Sequence, residues 1–137
     1  MVRYKLDDQW WNMSEESSRC FCQKANLDDC QGWHDISPCV GGIAPMGFTL
    51  PHFYRSPNLA EQVEGLSPDP ELHSTYLDME PVLGAPVNAK IGIQGVVAFG
   101  PVEQVPLMAK LPRCMFPLMW LQVVSRTSIF FYFILSD

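Results

Sequence analysis

The sequence has no long apolar run. Nowhere does it reach the ~18–20 consecutive apolar residues of a membrane helix. Ile129 to Leu135 is apolar but short, and Arg126 interrupts any extension toward Trp120. Residues 1–19 lack the apolar core of a secretory signal. Basic residues are also scarce: nine Lys and Arg against fifteen Asp and Glu give a formal net charge of −6. Such a chain offers no footprint for a phosphate backbone, which argues against nucleic acid as a partner. The regular oxygen spacing of an EF-hand is missing, and no phosphate-cradling loop is present. No cofactor is expected.

Proline and glycine, by contrast, are plentiful. Twelve prolines and nine glycines break the chain too often for long helices and favour short strands joined by loops. A hydrophobic content of 47% with 18% charged residues argues against disorder. The length of 137 residues suits one domain. A compact chain of this size buries roughly 68% of its unfolded surface.

Four of the five cysteines fall between Cys20 and Cys39. Zinc sites prefer Cys-x2–4-Cys pairs. Here Cys20-Phe21-Cys22 is a Cys-x-Cys, and Cys30 and Cys39 lie far apart, so disulfides fit better than metal. That chemistry implies an oxidising, extracellular-type compartment. Asn12-Met13-Ser14 matches the N-glycosylation pattern and agrees with it. A chain of extracellular type without signal or anchor is expected to be a fragment of a longer protein or a truncated gene product.

Residues 1–19 are polar and mixed, and read as loop or frayed terminus, with Trp10-Trp11 as their bulky feature. His34-Asp35 lies among the cysteines and reads as a hydrogen-bonded structural pair, because no nucleophile stands beside it. Gly41-Gly42 signals a turn, after which Met46, Phe48 and Leu50 alternate as a strand that Pro51 ends. His52, beside two aromatics, reads as packed or hydrogen-bonded. Residues 58–63 suit one or two helical turns, started by Ser56-Pro57.

The best strand signal follows. Leu77 and Met79 alternate with Asp78 and Glu80; beyond a turn, Val87, Ala89, Ile91, Ile93, Val97 and Phe99 share one face, and Asn88, Lys90, Gly92 and Gln94 the other. The apolar set is expected to face the core or an interior cavity. Asp78 and Glu80 read as solvated, or paired with a lysine such as Lys90. Paired carboxylates also serve acid–base catalysis. A hydrolase built on His34, Asp35, Asp78 and Glu80 nevertheless ranks last. Met115 to Leu121 reads as a buried strand, and residues 122–137 change character abruptly.

These pieces, in order, resemble the class B scavenger receptor family: scavenger receptors, insect sensory neuron membrane proteins and a lysosomal integral membrane protein. The resemblance runs over about residues 19–121. It rests on Cys20-Phe21-Cys22, Cys30, Asp35-Ile36-Ser37 leading into Cys39, Ala44-Pro45, Leu50-Pro51-His52-Phe53 and Gly65-Leu66-Ser67-Pro68. Most diagnostic is Thr75-Tyr76-Leu77-Asp78-Met79-Glu80-Pro81 with Gly84; Ala89-Lys90, Gln94 and Pro117-Leu118-Met119-Trp120 follow. The resemblance implies a mainly β fold, part of a large antiparallel β-barrel ectodomain with short helices and disulfide-linked loops. It implies a fragment of a cell-surface receptor, not an enzyme, which binds lipids, fatty acids or lipoprotein-like ligands and helps transfer them to the membrane. The full-length parent would lie on the extracellular side of the plasma membrane, or in the lysosomal membrane, held by anchors absent here. By the family pattern Cys22 pairs with Cys30, while Cys20 and Cys39 pair with cysteines elsewhere. Thr75, Tyr76, Leu77, Asp78, Glu80 and Pro81 become structural groups of the barrel wall, and Asn12 a glycan acceptor.

The sequence departs from the family at Gln94-Gly95-Val96, where the family has Gln-x-Asn, and from Gln122 onward. The expected division is therefore a poorly defined segment 1–18, an ectodomain part 19–121 and an aberrant apolar tail 122–137. The alternative is a small secreted disulfide-stabilised binding protein acting alone.

Overall fold

A computed structural model describes residues 1–22 and 27–126. It is built around one antiparallel sheet of six strands: β1 (Val2–Lys5), β2 (His34–Asp35), β3 (Met46–Thr49), β4 (Tyr76–Glu80), β5 (Ala85–Phe99) and β6 (Cys114–Arg126). Between them lie two single-turn helices, α1 (Pro57–Ala60) and α2 (Pro70–His73), and several 3-10 turns. Proline stands in the first turn of both helices, where its missing N–H costs nothing.

The long strand β5 is the spine. Along one edge its first half pairs with β4 and its second half with β3. Along the other edge it pairs with β6, from Asn88 opposite Arg126 to Phe99 opposite Cys114. The strand β1 extends the β4 side and β2 the β3 side. Among the described residues the sheet does not close into a barrel. β6 passes through Leu121 without a break and continues to Arg126. Residues 127–137, most of the segment read as an apolar tail, lie outside the described residues.

Residues 2–5, read above as loop or frayed terminus, are strand. Val2 to Lys5 pair with Met79 to Tyr76, and further along Trp11 and Met13 are buried. Their partners are more than sixty residues away, so local sequence carries no sign of the pairing.

The alternation expected in β5 is present, but the covered face is the other one. Gly92, Gln94 and Val96 are buried, while Ile91, Ile93 and Phe99 are exposed. The same reversal occurs in β3, where Gly47 and Thr49 are buried and Met46 and Phe48 are not. Bulk on the covered side comes from the covering elements. A Cβ on Gly92 would stand 2.9 Å from Pro51, and one on Gly47 would stand 2.1 Å from the Trp33 ring. The central cluster among the described residues is correspondingly small: Trp33, Phe53, Leu59, Val96 and Met115, with Ala60, Val63, Leu66 and Ala98 against it.

Candidate functional site

Two polar locks hold the covered face, and an open apolar surface lies opposite them. The first lock is Asp78. Its side chain is inaccessible to solvent, and it accepts from Arg3 Nε at 2.6 Å, Arg3 Nη2 at 2.7 Å and Asn88 Nδ2 at 3.1 Å. Arg3 also lies 4.1 Å above the Tyr76 ring. This fork corrects the expectation of a solvated or Lys90-paired carboxylate. Lys90 instead donates to the Glu71 carbonyl at 2.6 Å. The Arg3 guanidinium holds the Asp78 carboxyl below its usual range, against the opposing effect of burial.

The two partners of this lock are unequal. Arg3 is about half exposed and reaches water if Asp78 is lost; Asp78 has no such escape if Arg3 is lost. Arg3→Met is therefore expected to destabilise more than Asp78→Asn. The pH profile carries a sign. With Arg3 present, the Asp78 contribution exists above ~3.9, the unfolded carboxylate value, and is lost as pH falls through the lowered folded value. With Arg3 removed, burial still raises the folded value and only Asn88 and the N-terminus lower it, so the loss of stability toward low pH is expected to shrink or reverse. Urea midpoints of both proteins between pH 3 and 7 check this; parallel profiles would refute it.

The second lock is Gln94. Its Oε1 accepts from the His52 backbone N–H at 2.9 Å, and its Nε2 donates to Thr49 Oγ1 at 3.2 Å, which donates on to the Leu50 carbonyl. It secures a turn in which His52, Phe53 and Arg55 all have positive φ, a region that non-glycine residues rarely occupy. The compensation is visible: Phe53 is driven into the core and Pro51 onto Gly92.

The rest of the Thr75–Pro81 motif frames the sheet. Thr75 Oγ1 accepts from Gly92 N at 3.2 Å. Leu77 pairs with Ala89. Glu80 Oε2 accepts from Leu83 N at 2.6 Å and fixes the hairpin beyond Pro81, which is exposed. His34 is buried among the rings of Trp10, Trp11, Phe21 and Phe48, with Nε2 donating to the Trp10 carbonyl at 3.0 Å. Burial pushes its pKa down. Asp35 Oδ1 accepts from Ser37 N and Oγ. Asp78 stands opposite Asn88, whereas Asp35 connects through Gly47 to Val96. Eight positions of β5, roughly 25 Å at strand rise, separate the two acids. The residues of the hydrolase reading thus share no site.

Cys22 and Cys30 are joined in a disulfide, and Cys20 and Cys39 are exposed. Asn12 Oδ1 accepts from Ser14 N at 3.1 Å, a local turn across the glycosylation triplet. Arg3, Thr49, Asn88 and the contact of Trp120 with two histidines escaped sequence reasoning. The only local trace was the alternation of Val2-Arg3-Tyr4-Lys5.

The open surface is built from cross-strand pairs: Ile91 opposite Val123, and Ile93 opposite Leu121. Directly opposed residues share a face. All four are exposed, at 43 to 63%. Solvent-facing apolar patches of this kind mark contact with a ligand, a membrane or further protein.

The chain is thus a disulfide-bearing antiparallel β module, locked by buried polar groups on one face and apolar and exposed on the other. The chain belongs to the CD36 family, whose family model matches residues 1–132. It is 36% identical over 115 residues to sensory neuron membrane protein 1 of Anopheles gambiae, covering 78% of this chain and 21% of that protein. It is 38% identical over 112 residues to sensory neuron membrane protein 2 of Ostrinia furnacalis, covering 77% of this chain and 21% of that protein. The chain thus spans about a fifth of the length of the curated relatives it matches. Among the described residues no helix is long and apolar enough to cross a membrane.

Proposed function

We propose that this chain is the C-terminal ectodomain part of a membrane receptor of the CD36 family, in which the open β5–β6 face receives the acyl portion of lipid, fatty acid or lipoprotein-type ligands. The observation that carries the reading is the exposed quartet Ile91, Ile93, Leu121 and Val123. Burying such side chains gains about 1.5–3 kcal/mol each, enough to hold an alkyl chain. The rest of the ectodomain closes the barrel by pairing with the outer edge of β6, which has no strand beside it among the described residues and is an aggregation hazard if left open. The protein acts by binding and transfer rather than catalysis. Its parent sits on the extracellular side of the plasma membrane, or in the lysosomal membrane. Within it Cys20 and Cys39 bond to cysteines beyond this segment, and Asn12 carries a glycan. Thr75, Tyr76, Leu77, Asp78, Glu80 and Pro81 form wall structure and take no part in chemistry. In domain terms, residues 19–121 carry the ectodomain part.

The test is photolabelling with a diazirine-bearing palmitate, followed by peptide mapping. Label is expected on 91–93 and 121–123, and the pair Ile93→Asp and Leu121→Asp should cut labelling roughly tenfold, about 1.4 kcal/mol. Label confined to other segments, or undiminished in the pair variant, would sink the assignment.

A further inference from the structure

Two histidines of the segment 50–81 lie face to face. The His52 and His73 rings stack with centroids 4.4 Å apart and planes 13° from parallel. Each ring accepts a backbone hydrogen bond at Nδ1: Ser67 N donates to His52 at 3.2 Å, and Asp69 N donates to His73 at 2.9 Å. A nitrogen that accepts is unprotonated, so in each neutral ring the proton sits on Nε2. Neither ring then offers a lone pair to a metal. Both are committed to holding backbone.

The two amides they hold lie in one loop, but the cluster draws on several elements. His52 belongs to the positive-φ turn fastened to β5 through Gln94. Ser67 and Asp69 lie in the loop before α2, and His73 is buried at the end of that helix. Trp120 of β6 packs edge-on against both rings at 6.2 Å. Trp120 stands opposite Gln94, so this cluster occupies the covered face, away from Ile91 and Ile93.

We propose that His52 and His73 form an acid-released latch: while both rings are neutral, the His52–Ser67 bond and the ring stack pin the segment 65–73 to the sheet and the His73–Asp69 bond shapes it, and protonation of the pair lets it go. Protonation turns Nδ1 from acceptor to donor and sets it against the amide N–H it had held. That hydrogen bond is lost, and a second proton places like charges 4.4 Å apart.

The surrounding charges do not rescue the protonated state. The Asp69 carboxylate favours it but is already committed to the Glu71 and Leu72 amides. Lys90 of β5, tethered at the Glu71 carbonyl, opposes it, and from β6 only the uncharged Trp120 faces the pair. Burial, and then the neighbouring His52, push the His73 pKa down; Asp69 acts in reverse, and Lys90 adds the smallest push downward. A histidine favoured neutral in the fold contributes fully above ~6.5. Its contribution fades as pH falls below that value toward the lowered folded one.

Amide hydrogen exchange followed by NMR, corrected for intrinsic rates, tests the latch in the 137-residue chain. Protection of the Ser67 and Asp69 amides is expected to fall at least tenfold between pH 7.5 and 5, while β5 amides hold. The double variant His52→Asn and His73→Asn keeps a carbonyl acceptor near each Nδ1 position, and asparagine tolerates the positive φ at 52. In it the pH dependence should vanish. A second reading needs no variant: histidine nitrogen shifts at pH 7.5 should report the Nε2–H tautomer for both rings. Protection indifferent to pH, a fall that persists in the double variant, or an Nδ1–H tautomer at neutral pH would each overturn the latch.

Discussion

Trp33→Ala is expected to lower unfolding free energy by about 3–5 kcal/mol, the upper range for a single core truncation. Trp33 is 2% exposed and is the largest member of the central cluster of five buried side chains among the described residues. A core that small has no slack to refill the space. The indole is fixed at its polar end by Nε1 donating to the Asp29 carbonyl at 2.8 Å, and its face lies where Gly47 has no side chain. The reciprocal change should therefore hurt as well. A Cβ at Gly47 would stand 2.1 Å from Trp33 Cε3 and 2.6 Å from the His34 carbonyl oxygen. The second contact is backbone, so Gly47→Ala cannot be relieved by rotating the indole, and overpacking of this kind costs typically 1–3 kcal/mol or more. Urea denaturation followed by circular dichroism reads both. A Trp33→Ala midpoint within error of the parent would show that the core is placed wrongly.

That small core explains what was legible beforehand. The strands at 46–49, 76–80 and 85–99 were readable because period-2 alternation is a backbone property and survives whichever face is covered. The covered face was not readable. Hydrophobicity pointed to Ile91 and Ile93, yet the buried residues are Gly92, Gln94 and Thr49, because Pro51, Phe53 and Trp33 bring the apolar volume from outside the sheet. A glycine beneath a proline ring looks, in sequence, like a gap in a stripe. The salt bridge was hidden for a different reason: 75 positions separate Arg3 from Asp78, and Lys90 was the nearer cation in sequence.

The open stripe also bears on the family assignment. In a self-sufficient small domain an exposed row of isoleucine, leucine and valine on adjacent strands is an error. On the reading proposed above, the same row is the surface that the rest of the parent or its ligand would cover.

Replacing Cys22 and Cys30 with serine is expected to cost roughly 2–3 kcal/mol, the loop-closure value for a bond spanning eight positions. The loss should spread beyond the loop. Cys30 is fully buried, and its carbonyl accepts from Trp33 N at 3.2 Å. On the other side, Phe21 adjoins Cys22 and packs on His34 at 4.7 Å. The bond thus ties the segment bearing the main core residue to the aromatic cage around His34. Reduction should loosen both, seen as faster exchange of the Trp33 indole proton. Non-reducing peptide mapping of protein made in a secretory host should recover Cys22 joined to Cys30, with Cys20 and Cys39 alkylated or joined to each other, and a glycan on the peptide bearing Asn12. Stoichiometric zinc on the reduced protein with no Cys22–Cys30 link would overturn this assignment. So would unchanged stability after serine replacement, because a tether between two buried clusters cannot be removed without enlarging the ensemble that competes with the fold.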